Sequence, residues 1–90
     1  MLFMNIFTYE PDKRDQVIKR RLEKGDMAPE SVKIIGQWTA LSGGRGFIIF
    51  EADEPMLEWT LAWSDLMKMD IIPILDTEKD VMTKISGTVK

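Results

Sequence analysis

The sequence predicts an α+β domain in which one four-stranded antiparallel sheet is built in the order β-α-β-β-α-β. Three observations carry this. Residues 32–41 and 47–52 are apolar, strand-forming runs, and Ser42-Gly43-Gly44-Arg45-Gly46 between them is a glycine-rich hairpin turn. One helix-patterned stretch and one strand lie on each side of that hairpin. Finally, three of the four strands are apolar on both faces, which decides how the sheet must be covered.

Leu2 to Tyr9 is the first strand, with Phe3, Phe7 and Tyr9 on one face and Leu2, Met4 and Ile6 on the other. Pro11 opens a helix, with Asp12 and Asp15 near its positive end. It runs to about Lys24, and Gly25 is its natural stop. Val17, Ile18 and Leu22 form its one apolar stripe. Asp26 to Ser31 is a loop in which Pro29 holds Ala28 extended. The hairpin then admits two registers. If Leu41 faces Phe47, Gln37 lies opposite Glu51; if the turn is a tight Gly43-Gly44, Glu51 shares a face with Gly36 and Trp38.

A second helix is expected from Glu54-Pro55 to about Met69. Glu54, Glu58, Asp65 and Lys68 fall on one stripe, with Met56, Trp59, Trp63, Leu66 and Met67 opposite and Leu57 and Leu61 widening the apolar zone. Ile71 to Leu75 is the last strand, and Pro73 places it at an edge. Residues 1–76 make the domain. Residues 77–90 form a C-terminal tail, partly helical through Val81, Met82 and Ile85 and frayed at its end.

The two-sided strands pair Phe3/Phe7 with Met4/Ile6, Ile48/Phe50 with Phe47/Ile49, and Ile72/Ile74 with Ile71/Leu75. Two helices cover only one face of such a sheet, and a solvated second face would be polar. The economical cover is a second copy, sheet against sheet, so a homodimer is expected. The alternative is a monomer whose tail folds across the open face.

The chain has 90 residues, enough for one small domain, and is 44% hydrophobic and 30% charged, a globular composition. It contains no cysteine and no histidine. Disulfides, thiolate zinc, thiol catalysis and haem held by His or Cys are thereby excluded. No metal and no cofactor are expected. Any proton transfer falls to Asp, Glu, Lys or Tyr with a shifted pKa. Met1 to Phe7 is too short and lacks the basic leader of a secretory signal. No run nears the roughly 20 apolar residues of a membrane span, so a cytoplasmic protein with no membrane partner is expected.

Net charge is −3, unevenly spread. Lys13, Arg14, Lys19, Arg20, Arg21 and Lys24 crowd the first helix, whereas residues 51–80 hold nine acidic side chains against Lys68 and Lys79. An acidic chain is poorly suited to a phosphate backbone, so no nucleic-acid partner is expected. The basic run reads as a solvated face; its functional version is a rim that attracts anions or a contact with the acidic half of another protein.

Several side chains are candidates for a site. Arg45 can hold a carboxylate bidentately, or stay solvated. Asn5, between Phe3 and Phe7, can orient a ligand carbonyl or bridge to a neighbouring strand. Gln37 and Thr39 share a strand face. Trp38, Trp59 and Trp63 read first as core, but a buried indole N–H needs a partner, and Gly36 beside Trp38 leaves room for a flat ligand.

Taken in order, Leu2-Phe3-Met4, Tyr9-Glu10-Pro11 with Lys13-Arg14, Gly36-Gln37-Trp38, Ser42-Gly43-Gly44-Arg45-Gly46-Phe47, Glu51, Trp63-Ser64-Asp65-Leu66 and Pro73 carry a resemblance. Over residues 1–76 the chain resembles the dimeric α/β-barrel, ferredoxin-like superfamily. More narrowly, it is similar to a family of short prokaryotic proteins known as a domain of unknown function. The resemblance implies a homodimer in which two sheets form a barrel, with small molecules bound in clefts between each sheet and its helices. Relatives include cofactor-free monooxygenases, isomerases, dehalogenases and haem binders.

Two functions from different classes follow. One is a module binding an aromatic or acidic small molecule through Asn5, Trp38, Arg45, Phe50 and Trp63. The other is a cofactor-independent monooxygenase or isomerase, with Glu51 and Tyr9 as catalytic candidates beside Asn5 and Arg45. Glu51 buried beside a cavity favours the enzyme; Glu51 in solvent demotes it. A third reading, a structural dimer recruiting a protein partner, predicts no cavity.

Overall fold

Alternating burial along Leu2–Thr8 makes β1, which sinks Phe3, Asn5 and Phe7 on one side and half-covers Leu2, Met4 and Ile6 on the other. The computed structural model describes residues 1–54 and 57–88, with 86–88 given as backbone. A 3-10 turn at Pro11–Lys13 leads into α1, Arg14–Lys24. Gly25 ends the helix at φ 70°, its N–H donating to the Arg21 carbonyl at 2.9 Å. The hairpin strands are β2, Lys33–Thr39, and β3, Arg45–Glu51. Then come α2, Leu57–Trp63, and β4, Lys68–Pro73. A π-helical segment at Thr77–Met82 continues into α3, Thr83–Thr88.

The sheet order is β2-β3-β1-β4, and every neighbouring pair is antiparallel. This is the ferredoxin-like α+β arrangement. β4 lies at an edge, where Pro73 leaves no donor missing from an inner ladder. No described helix is long and apolar enough to cross a membrane.

The hairpin adopts neither expected register. Trp38 pairs with Phe47 and Gln37 with Ile48, which leaves a four-residue turn, Leu41–Gly44. The turn is closed by N–H groups of Ala40 and Gly43, which donate to the carbonyls of Arg45 and Ala40 at 2.8 Å each. Gly43 and Gly44 supply its positive φ values of 80° and 75°. Glu51 does share the face of Gly36 and Trp38, although a register shift at Ile35 sets it opposite Lys33.

The second helix is shorter than its periodicity predicts. It ends at Trp63, whose carbonyl accepts from the N–H groups of Leu66 and Met67 at 2.9 Å each. That turn buries Leu66 and releases Lys68 to pair with Thr8, so β4 spans Lys68–Pro73 rather than 71–75. Leu57 and Leu61 remain 70% and 64% exposed and do not widen the core. The expected helix start at Pro55 and the contribution of Met56 lie outside the described residues.

Both helices cover the Phe3–Asn5–Phe7 face. Phe50 stacks on Phe3 with ring centres 5.4 Å apart and meets the edge of Trp59 at 5.1 Å. Burying each of these aromatic side chains contributes about 2–3 kcal/mol. The indole N–H groups of Trp59 and Trp63 both donate to the Asp26 carbonyl, each at 2.9 Å, so one loop carbonyl satisfies both buried donors. Arg20 adds a second tie between the helices. It holds Asp65 bidentately at 2.7 and 2.7 Å, donates to the Ala62 carbonyl at 3.0 Å, and lies over the Trp63 ring. Of its basic neighbours on the helix, Lys19, Arg21 and Lys24 are exposed, whereas Arg20 is half-buried.

The opposite face of the sheet presents Met4, Ile6, Trp38, Phe47, Ile49 and Ile72. Trp38 and Phe47 stack at 5.2 Å yet stay 49% and 40% exposed. None of residues 77–85 is buried, and none packs on the core. The radius of gyration is 15.6 Å, well above the roughly 12 Å of a compact chain this long.

Candidate functional site

α1 offers an apolar stripe of Val17, Ile18 and Leu22, but only Val17 is buried; Ile18 and Leu22 are 39% and 81% exposed. The edge strand β2 has polar side chains, Gln37 and Thr39, at the register positions that face the helix layer. Between the two runs a cleft of about 400 Å³. Phe7, Ile48 and Met69 form its floor, Trp59 and Trp63 its back, and Ala40, Leu41 and Gly43 of the hairpin turn its outer lip. A gap opens here because an edge strand with polar side chains gives α1 nothing apolar to close against.

Charge enters from the helix. Arg14 and Arg21 are seven residues apart, two turns along one face, and both line the cleft. Arg14 makes only a loose contact with Asp15 at 3.4 Å, in which both side chains are largely exposed. Arg21 has no ion pair among the described residues. Tyr9 joins them at the mouth, half-buried, its backbone N–H donating to the Gly44 carbonyl at 3.0 Å. The carboxylate lining the cleft, Asp26, accepts the Ala28 N–H at 2.9 Å. Elsewhere, the guanidinium of Arg20 holds the Asp65 carboxyl down at about 2. Among the described residues no three acidic side chains gather into a metal-holding group.

The seven residues singled out in the sequence are divided by the sheet. Tyr9 and Trp63 line the cleft. Asn5 and Phe50 lie on the same side but fully buried, Phe50 packed between Phe3 and Trp59. Trp38, Arg45 and Glu51 lie on the opposite face, paired in register with Phe47, Thr8 and Leu2. Strand alternation is the reason: Arg45 and Phe50 are five apart in one strand and point in opposite directions. Nor is the space over Gly36 vacant. The Trp38 ring lies on it so closely that an added Cβ would collide.

Arg14, Arg21, Gln37 and Thr39 complete the cleft, and sequence reasoning did not assign them to it. The signal for the arginines is present: they flank Val17 and Ile18 at helical spacing. What the sequence lacks is the distance between α1 and β2.

A four-stranded antiparallel sheet with two helices on one face and an apolar, arginine-rimmed cleft at its edge strand defines an α+β domain with a candidate ligand site. The chain belongs to the DUF3303 family, a domain of unknown function, whose model matches residues 1–85. No curated protein and no solved structure matches it.

Proposed function

We propose that this domain binds a small aromatic acid in the cleft between α1 and β2. The ring rests against Trp59, Trp63 and Phe7, and the carboxylate meets Arg14 and Arg21 at the rim. The observation that carries this reading is the pairing of an apolar floor with two guanidiniums two turns apart on one helix face. Arginine suits the task because its planar fork matches a carboxylate. We further propose that the domain works as a homodimer of the dimeric α/β-barrel type, the apolar Trp38–Phe47 faces meeting sheet to sheet.

Binding is favoured over catalysis by the position of Glu51, exposed on the face away from the cleft. A cofactor-free oxygenase or isomerase working in this cleft would have Tyr9 as the sole member of that candidate pair. A purely structural dimer gives no reason for a cleft of this size.

Titration with hydrocinnamate, followed by thermal shift, tests the reading. Saturable stabilisation is expected for the wild type and for Arg45→Ala, and loss of most of it for the Arg14→Ala/Arg21→Ala double variant. If Arg45→Ala is the variant that loses the shift, the anion sits on the other face and the assignment to α1 fails.

A further inference from the structure

Among the described residues Asn5 is the one buried polar side chain, 0% exposed, on an inner strand and flanked on its own sheet face by Phe3, Phe7, Ile48 and Ile71. Its amide is poorly served. Nδ2 donates to the thioether of Met69 at 3.5 Å, and Oδ1 has no donor within reach among the described residues. Turning the amide over does not help. A thioether cannot donate, so the group facing it must be the nitrogen, and the oxygen still lacks a partner. A buried acceptor left in this state is costly, and an apolar residue of the same size would serve packing better.

The surroundings suggest what the amide is for. Phe7 is Asn5's neighbour two residues along β1, and Ile48 is its partner across β3; both form cleft floor. Met69 touches the amide with its sulfur and also lines the cleft. It is half-buried and unbranched, with a chain that changes rotamer readily. Thus a single flexible side chain contacts both the cleft and an unsatisfied amide beneath its floor.

We propose that Asn5 is the polar end of the ligand cleft, that Met69 is the plug over it, and that the pair selects ligands carrying a phenolic hydroxyl at their buried end. A phenol matches the amide: its O–H donates to Oδ1 while its oxygen accepts from Nδ2, replacing the weak bond to sulfur. Specificity follows the same logic, because a site built around a hydrogen-bonding group discriminates against an analogue without it. The proposal rests on the cleft being a ligand site and adds the chemical class of the ligand's inner end.

The test compares hydrocinnamate with its para-hydroxy form, titrated into the wild-type protein and followed by calorimetry and by the Asn5 side-chain amide resonances. The hydroxylated acid is expected to bind about tenfold more tightly, the worth of one net hydrogen bond, and to shift those resonances. In Asn5→Leu the preference should disappear through loss of affinity for the hydroxylated acid alone. Met69→Ala, which opens the plug and frees Nδ2 from the sulfur while leaving the amide in place, should enlarge the preference. If both acids bind the wild type equally and move cleft resonances, the Asn5 assignment is overturned while the cleft survives. If neither binds, both fall.

Discussion

The shared acceptor at Asp26 makes a quantitative prediction about how the back of the cleft is held. Trp59 and Trp63 are 1% and 3% exposed, and each donates its indole N–H to the same carbonyl at 2.9 Å. Replacing either by phenylalanine removes one hydrogen bond, worth about 1 kcal/mol, and leaves a small cavity; together these cost about 2–3 kcal/mol. After one substitution the carbonyl keeps the other indole. After both it has no side-chain donor, so the double variant should lose about 1–2 kcal/mol more than the sum of the singles. Urea unfolding followed by far-UV circular dichroism measures all four corners of this cycle. Additivity within about 0.5 kcal/mol would show that the carbonyl finds another donor and that the two indoles do not act as one clamp.

Three further outcomes are expected. Phe47→Lys charges the open face at a position 40% exposed in the single chain, so it should leave the fold intact and convert a dimer to a monomer in sedimentation; a wild-type protein that already sediments as a monomer contradicts the pairing. Asp65 titrates at about 2 when folded against an ordinary 3.8, so its contribution is complete above about pH 4 and fades as pH falls towards 2. The melting-temperature gap between wild type and Asp65→Asn should therefore close over that range, and a gap constant with pH would remove the ion pair as its cause. Gly36→Val drives a side chain into the Trp38 ring and should displace that indole, seen as a shift of the Trp38 indole N–H resonance in a protein that is otherwise wild type; an unmoved resonance would mean that the ring does not rest on the glycine.

The fold was legible because its signals are local. Pro11 and Gly25 bracket α1, the glycines of 42–46 mark the hairpin, and Pro73 marks an edge, each through backbone geometry that needs no partner. Where tertiary contacts decide, the sequence misled. Periodicity carried α2 past Trp63 because Leu66 and Met67 continue its apolar stripe, but the β1 ladder claims Lys68 onward. For the hairpin the sequence offered a turn over 42–46 or a tight Gly43-Gly44, whereas the chain turns over Leu41–Gly44, and the bulge at Ile35 has no mark in the sequence. The candidate site was half legible. Tyr9 and Trp63 reached the cleft, yet Arg45 and Phe50 were joined across a strand whose alternation separates them. Arg14 and Arg21 looked like an ordinary solvated run because nothing in a helix sequence reveals an unfilled gap beside it.

The central claim is that one face of this sheet binds and the other pairs. Mapping backbone and indole amide resonances during a hydrocinnamate titration separates the two most directly. The expected shifts cluster at Val17, Ile18, Arg21, Thr39 and the Trp63 indole, while the Trp38 indole and the amides of Phe47 and Ile49 stay still. Shifts centred on Trp38, Arg45 and Phe47, with the α1 residues unmoved, would place the ligand on the face assigned here to the second copy.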